Sequence, residues 1–200
     1  MTFLTQGASF LNPRAYAIMH RMHHAYSDTE KDPHSPHYFR SMFKMMWRTK
    51  EIYVNILLGR ADVDKSFEKN CPEWKPFDRI VNPWPVRLLF IVLYVLFYVQ
   101  FARVWWLWLL LPLHFIMGPI HGAIVNWFGH KLGYVNYDDT GDFSKNTLPI
   151  DFVTMGELFQ NNHHKFPNSM NFAKKIFEFD PTYPLIRILG WLRIIRFSKY

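Results

Sequence analysis

The 200-residue chain contains a single cysteine, Cys71. One thiol excludes an intramolecular disulfide and a thiolate cluster for zinc, and it is typical of a reducing compartment. The sequence also lacks an HExxH motif, a GxGxxG motif and a haem-binding signature. These absences argue against a zinc peptidase and against a tightly bound dinucleotide or haem. The first residues, MTFLTQGASF, lack the basic start and the long apolar stretch of a signal peptide.

No internal repeat, low-complexity tract or strand-like alternation of polar and apolar residues stands out. The sequence therefore predicts an all-α protein, organised as one domain over residues 1–200. Half of the residues are hydrophobic and 18% are aromatic, so the apolar content must be concentrated in part of the chain.

That concentration lies between Val86 and Phe128, where the chain reads VRLLFIVLYVLFYVQFARVWWLWLLLPLHFIMGPIHGAIVNWF. A membrane-spanning helix needs about 20 apolar residues, so this stretch is long enough for two. Gln100 and Arg103 interrupt it, which predicts a transmembrane hairpin with helices over 84–101 and 104–128. A buried hairpin in a soluble protein is the alternative, and it is disfavoured because the helices show almost no polar stripe.

The net charge of +7 suits either nucleic acid or an anionic membrane surface, and the apolar hairpin favours the membrane over nucleic acid. Residues 14–80 carry 12 Lys and Arg and residues 131–199 carry 9. The positive-inside rule places both flanks on the cytoplasmic side of a multi-pass membrane protein.

Three further segments have recognisable character. Residues 1–19 are predicted to be the tail of an apolar helix, and residues 131–150 to be a loop rich in Gly and Asp. Residues 184–197, PLIRILGWLRIIRF, combine apolar side chains with three arginines and are predicted to lie along the membrane interface.

Five of the ten histidines fall within residues 20–37, HRMHHAYSDTEKDPHSPH. On a helix, His20, His23 and His24 share one face through the i, i+3, i+4 relation, although a solvated polar face is the simpler interpretation of this cluster alone. Gln160, His163 and His164, in FQNNHHKFP, repeat the spacing with an amide in the first place. The predicted hairpin brings both clusters to the same membrane face.

A third element is NWFGHKLGY, in which Asn126 and His130 are one helical turn apart. His121 is interpreted as a pocket or hydrogen-bonding residue, and His114 is expected to be buried within the bundle. Nitrogen-rich ligation without sulfur suits zinc, iron, copper or nickel. Six histidines in three elements are too many for one zinc ion, whereas two iron ions fit the count. Iron at a membrane surface suggests oxygen chemistry on a lipid.

Together, HRMHH (20–24), YSDTEKDPHSP (26–36), NWFGHKLGY (126–134) and QNNHH (160–164) resemble the membrane fatty acid desaturases. Within that family the chain is most similar to the bacterial acyl-CoA or acyl-lipid Δ9 type, from Thr5 to Tyr183. The resemblance implies an integral membrane helical bundle with a cytosolic helical cap that carries the histidine boxes and a non-haem di-iron centre. Carried over by motif, the implied metal ligands are His20, His23, His24, Asn126, His130, Gln160, His163 and His164. Asp32 and His34 are expected to orient ligand imidazoles, with the shaping of their own loop as an equal alternative.

Two departures from the family are visible. Gln160 stands where the family often has histidine, and no HxxxxH box precedes His20. The sequence thus resembles a desaturase domain that is incomplete at its N-terminus and lacks two iron ligands.

The resemblance implies an oxygen-dependent desaturase that inserts a cis double bond into a fatty acyl chain carried by CoA or by a lipid. It also implies an external electron donor of the ferredoxin or cytochrome b5 type, to which the basic cytoplasmic surface is suited. A hydroxylase of lipid, alkane or carotenoid with the same centre is the nearest alternative, and a truncated, non-catalytic membrane protein is another. A zinc-dependent membrane hydrolase is disfavoured because no acidic general base accompanies a three-histidine set.

Overall fold

The computed structural model describes residues 6–197. Within this range the regular secondary structure is helical. β-type backbone pairing is limited to three isolated bridges, Tyr134–Asn146, Asn146–Phe159 and Ile150–Phe179. The all-α prediction is therefore confirmed. The helices are α1 Pro13–Tyr26, α2 Met42–Leu57, α3 Lys65–Glu68, α4 Lys75–Val81, α5 Trp84–Phe101, α6 Leu111–Phe128, α7 Gln160–Lys165 and α8 Thr182–Trp191, with 3-10 turns at Pro36–Tyr38 and Trp105–Leu110.

The described residues form two compact units. The first comprises residues 6–27, Lys31–His34 and Phe43–Ala123, and the second comprises Asp28–Glu30, Ser35–Met42 and residues 124–197. The first unit thus contains α1, α3 to α5, nearly all of α2 and most of α6. The second contains the end of α6, the long loop that follows it, α7 and α8.

Helix α1 begins at Pro13 because the residues around this position favour a helix start. Proline is tolerated in the first turn, where its missing N–H has no helical partner. The side chain of Asn12 caps the helix, since its Oδ1 accepts the Ala15 N–H at 2.9 Å. The apolar face of α1 then packs on α2 in a buried cluster of Ala15, Ile18, Met19, Tyr53 and Ile56. This packing fixes the helix that carries the first histidine box.

The helical tail predicted for residues 1–19 is wrong over residues 6–12, which are not helical. Residues 1–5 lie outside the described part of the chain. Asn12 and Pro13 explain the difference, because a capping residue followed by proline defines where a helix begins. The prediction instead followed the apolar residues that precede them.

Two helical segments match the apolar stretches of the sequence. They run over Trp84–Phe101 and Trp105–Phe128, and both are long and apolar enough to cross a membrane. Only 6% and 11% of their apolar windows are buried within the chain, which is unlike the core of a soluble protein. Their bounds lie close to the predicted 84–101 and 104–128, while the transmembrane hairpin itself stays a prediction.

Helix α6 is bent near its middle. Ile116 has non-helical backbone angles (φ −127°, ψ 24°), and Pro119 follows three residues later. Proline removes one helical hydrogen bond and pushes against the preceding turn. The Ser9 Oγ accepts the Gly118 N–H at 3.1 Å, so a side chain from the segment before α1 satisfies a backbone donor at the bend.

His114 lies at an exposed position of α6, so the prediction that it is buried is wrong. Its Nδ1 lies 3.2 Å from the Tyr98 hydroxyl of α5. This contact joins the two apolar helices at one point.

In the second unit, residues 131–150 form the predicted loop, without a helix. Tyr134 and Asn146 exchange backbone hydrogen bonds of 3.0 and 2.8 Å, which closes the loop on itself. Gly133 has a φ of +131°, and a Cβ there would lie 2.1 Å from the Asn146 carbonyl oxygen, so this crossing requires glycine. Helix α8, Thr182–Trp191, overlaps the first part of the predicted 184–197 segment, and the position of that segment at a membrane interface stays a prediction.

The α1 start generates a stability prediction. Replacing the cap, Asn12→Ala, is expected to lower the free energy of unfolding by about 1 kcal/mol and Tm by about 2–4 °C. Thermal unfolding of the detergent-solubilised chain, followed by circular dichroism, measures it. Asn12→Asp is the matched control because it keeps the accepting oxygen and should unfold near the wild-type temperature. An unchanged Tm for Asn12→Ala would contradict the capping role.

Candidate metal centre

The first histidine box lies on consecutive turns of α1, within the first unit. The Nε2 atoms of His20 and His24 are 3.1 Å apart. Two imidazole nitrogens that bind one metal ion at a right angle, each at about 2.1 Å, are separated by about 3.0 Å. His20 and His24 therefore have the spacing of two ligands of one ion.

The third histidine of this box, His23, is paired with a carboxylate. Its buried Nδ1 lies 3.0 Å from both oxygens of Asp32. Asp32 also accepts the backbone N–H of His34 at 2.9 Å, and the rings of His23 and His34 are 4.3 Å apart. The Thr49 hydroxyl of α2 donates to the Pro33 carbonyl at 3.2 Å, which holds this loop in place. Asp32 thus occupies the position from which it can orient an imidazole.

In the second unit, His130 is fully buried and its Nδ1 lies 2.8 Å from Asp28 Oδ2. Asp28 also accepts the Ser35 hydroxyl at 2.8 Å and the Phe143 N–H at 2.9 Å. Burial opposes ionisation of Asp28, but these three hydrogen bonds outweigh it and hold the pKa of the carboxyl below its ordinary value. The Nε2 of His37 lies 3.0 Å from the His130 carbonyl oxygen and adds a further tie.

A third pair joins His164 and Asp142, whose Nδ1 and Oδ2 are 2.5 Å apart. Burial lowers the pKa of His164 and outweighs the opposite effect of the Asp142 carboxylate, which favours a neutral imidazole. Burial also works against the charge of Asp142, yet hydrogen bonds from His164 and Ser144 hold the pKa of its carboxyl well below the usual range. The rings of His130 and His164 lie 5.0 Å apart.

The remaining predicted ligands, His163, Gln160 and Asn126, lie at the following positions. His163 is buried on α7, with its ring 4.5 Å from that of Phe172. The Gln160 Nε2 donates to the Glu157 carbonyl at 2.7 Å, so only its oxygen can serve as a metal ligand. Asn126 lies one turn before His130 on α6 and is half-buried.

The structure thus gathers the predicted residues in two groups, one within each unit. His20, His23, His24, Asp32 and His34 lie together in the first unit, and His130 and His164 lie together in the second. In three pairs the Nδ1 of a buried histidine faces a buried carboxylate.

Comparison with known proteins identifies the family of the chain. The profile described as Fatty acid desaturase matches residues 1–174, which is most of the chain. The chain belongs to the fatty acid desaturase family. The resemblance inferred from the histidine boxes is therefore confirmed.

Among its relatives, this desaturase-family chain is 28% identical to the sn-1 stearoyl-lipid 9-desaturase of Synechocystis sp., over 99% of the chain and 58% of the relative. It is 30% identical to the Delta-9 desaturase-like 2 protein of Arabidopsis thaliana, over 88% of the chain and 56% of the relative. It is 29% identical to the Acyl-CoA C20 Delta5-desaturase of Anemone leveillei, over 90% of the chain and 55% of the relative. The chain thus spans little more than half the length of these relatives. No solved structure matched the chain significantly.

The residues of the desaturase-family chain fit a non-haem iron site. An ionised carboxylate can only accept a hydrogen bond, so a histidine paired with one carries its proton on Nδ1 and leaves the Nε2 lone pair available to a metal ion. Imidazole nitrogens without sulfur suit iron among the transition metals. The donor set and its carboxylate supports are therefore appropriate to the group that the family uses.

Asp28 and Asp142 were missed by the sequence analysis. Their histidine partners lie 102 and 22 residues away along the chain, so no local spacing reveals either pair. Asp142 also follows Asp138 and Asp139 in the same loop, and nothing in the sequence distinguishes the carboxylate that contacts an imidazole. Asp32 was found because it stands nine residues after His23 in the DPH motif.

The His164–Asp142 pair can be tested directly. In Asp142→Asn, the carboxylate that favours imidazolium is lost, so the pKa of His164 is expected to fall further and its Nδ1-protonated tautomer to be less populated. Nitrogen-15 NMR of histidine-labelled, metal-free chain across a pH titration measures both. Asp139→Asn is the control, since Asp139 is exposed and pairs with Lys165. An unaltered His164 titration in Asp142→Asn would contradict the pairing.

Proposed function

We propose that this chain is an oxygen-dependent desaturase that inserts a cis double bond into a fatty acyl chain at two non-haem iron ions. The observation that carries the proposal is the set of three buried histidine–carboxylate pairs, in a chain of the fatty acid desaturase family. The proposed iron ligands are His20, His23, His24, Asn126, His130, Gln160, His163 and His164.

The iron pair would supply the redox chemistry, using O2 to take two hydrogen atoms from adjacent carbons of the acyl chain. Two electrons and two protons from outside complete the reduction of O2 to two water molecules. Asp32, Asp28 and Asp142 hold the Nδ1 protons of His23, His130 and His164, so each ring keeps one orientation and one tautomer. His34 lies beside this first pair and helps to fix the loop that carries Asp32.

Burial of these groups has a second consequence for the proposed reaction. Oxidation of an unactivated methylene requires that water be excluded and that the acyl carbons be held in one place. His23 and His130 are 1% and 0% exposed, so they are shielded from bulk solvent.

The proposed substrate is a fatty acyl group on CoA or on a membrane lipid, since the Synechocystis relative is a stearoyl-lipid desaturase and the Anemone relative an acyl-CoA desaturase. We place α5 and α6 across the membrane in a multi-pass arrangement, with the iron site on the cytoplasmic face, on the charge distribution of the flanks. The proposed electron donor is of the ferredoxin or cytochrome b5 type, to which the basic flanks of the chain are suited.

Iron content and product analysis test the proposal. The chain is expressed in host membranes, purified in detergent and loaded anaerobically with ferrous iron. It should then contain about two iron ions per chain. With reductant, O2 and a stearoyl substrate it should give a cis-unsaturated product. A folded, iron-free chain that yields no product would overturn the proposal, and a hydroxylated product would replace desaturation by hydroxylation.

A variant pair locates the site. His163→Ala is expected to lose iron and turnover, because metal binding depends on each imidazole, while membrane insertion and helix content stay unchanged. His114→Ala is the matched control, since His114 lies outside the proposed ligand set and contacts the Tyr98 hydroxyl of α5, so this variant should retain iron and activity. Wild-type iron content in His163→Ala would remove His163 from the ligand set.

A further inference from the structure

The helix that carries the third histidine box is too short to be stable alone. Helix α7 spans six residues, Gln160–Lys165, whereas isolated helices below about 12 residues are marginal in water. His163 and His164 are nevertheless buried at defined positions on it. Interactions from outside the helix must therefore fix their direction.

The principal interactions converge on Glu178, a buried carboxylate after α7 with 8% exposure. Its two oxygens accept six hydrogen bonds, and every partner is a donor. Oε1 accepts from the Tyr134 hydroxyl at 2.7 Å, Asn136 Nδ2 at 2.6 Å and Asn146 Nδ2 at 3.5 Å. Oε2 accepts from Asn162 Nδ2 at 2.9 Å and from the backbone N–H groups of Lys174 and Lys175 at 2.6 and 2.9 Å.

Because an ionised carboxylate offers no donor, it decides how the three asparagine amides are turned. Each presents its NH2 group to Glu178. The Asn162 Oδ1 then accepts from Asn136 Nδ2 at 2.8 Å and from Asn146 Nδ2 at 3.0 Å. The backbone N–H of Asn162 donates to Asn146 Oδ1 at 3.1 Å. We call Glu178, Asn136, Asn146 and Asn162 the Glu178 network.

The network is charged in the folded chain. Burial opposes ionisation, but the hydrogen bonds from the Lys174 and Lys175 N–H groups and from Tyr134 and Asn136 outweigh it, and the pKa of Glu178 stays below its ordinary value. Asn162 is fully buried and immediately precedes His163, so what fixes its side chain and its N–H also fixes the start of the histidine pair.

We propose that Glu178 is a positioning residue for the metal ligands His163 and His164, acting through the asparagine amides that it orients. The inference rests on the proposed function for the identity of the bound metal. Its physical content, that Glu178 holds α7 in the form required for ligation, is independent of which metal binds and of the reaction.

Asp180 provides a matched control in the same segment. It is a buried carboxylate, 4% exposed, that accepts backbone N–H groups from Phe172, Thr182 and Tyr183. Among the described residues it makes no hydrogen bond to the three asparagines of the network. Asp180 is linked to Asn162 only indirectly, because the Phe172 carbonyl accepts from Asn162 Nδ2 at 2.8 Å. Asp180→Asn therefore removes a comparable buried charge while Glu178 still accepts directly from all three asparagine amides.

The first measurement is hydrogen exchange of the metal-free full chain in detergent. In Glu178→Gln, the amide NH2 faces groups that are themselves hydrogen-bond donors, so some of the six hydrogen bonds are lost. Amide exchange across residues 160–165 should therefore be roughly tenfold faster than in wild type. Tyr134→Phe removes only the hydrogen bond from the Tyr134 hydroxyl to Glu178, so exchange in α7 should rise by a smaller factor. This variant tests the proposal if Glu178→Gln does not fold. Asp180→Asn, which reaches α7 only through Phe172, should accelerate exchange in α7 much less. Equal acceleration of α7 in Glu178→Gln and Asp180→Asn would overturn the proposal.

The second measurement is Co²⁺ titration, followed by its visible absorption bands. Loss of a supporting group of this kind weakens metal affinity by about tenfold or more, and we expect a raised Kd and altered bands for Glu178→Gln but not for Asp180→Asn. Wild-type Kd and bands in a folded Glu178→Gln chain would overturn the positioning role. Wild-type chain that binds metal but forms no product would overturn the proposed function alone, because the exchange and cobalt measurements do not depend on turnover.

Discussion

A buried carboxylate that accepts the Nδ1–H of an imidazole is the interaction on which both histidine groups depend. It occurs at His23, His130 and His164, with partners Asp32, Asp28 and Asp142. A buried imidazole without such a partner would have two ring orientations and two tautomers available, and a buried polar group without a hydrogen bond is costly. Each pair removes this freedom before any metal binds.

The loops of the chain are arranged around these pairs. The segment after α1 carries Asp28 and Asp32 in opposite units, four residues apart, and a Pro-rich turn follows them. The loop after α6 supplies Asp142. Irregular backbone of this kind is usually mobile, but here buried carboxylates fix it, as in the bond from the Phe143 N–H of one loop to Asp28 of the other. The histidine groups and the loops therefore stabilise one another.

Much of the candidate site could be predicted from sequence because its histidines lie in local patterns. The spacing of His20, His23 and His24 on one helix, and of His163 and His164 on another, needs no tertiary knowledge. The apolar stretches likewise gave nearly correct bounds for α5 and for the Trp105–Phe128 segment that ends with α6, since a membrane demands uniform hydrophobicity over a fixed length. Pairs of residues distant in sequence could not be predicted. Asp28, Asp142 and the asparagine amides around Glu178 acquire their roles only through such partners. The bend of α6 and the late start of α1 were missed because single prolines decide them, against the apolar pattern around them.

The junction of α6 with α7 has a consequence for sequence variation. A Cβ at Gly129 would lie 2.4 Å from Gln160 Cγ and 2.5 Å from the Val125 carbonyl oxygen. A side chain of α7 and the backbone of α6 therefore both close this position, and in a close-packed interior neither can shift without displacing its neighbours. Because the Val125 carbonyl belongs to the main chain, a shorter residue at 160 does not open the space, and among homologous chains we expect glycine at 129 whatever residue stands at 160. An alignment with larger residues at 129 would contradict this expectation.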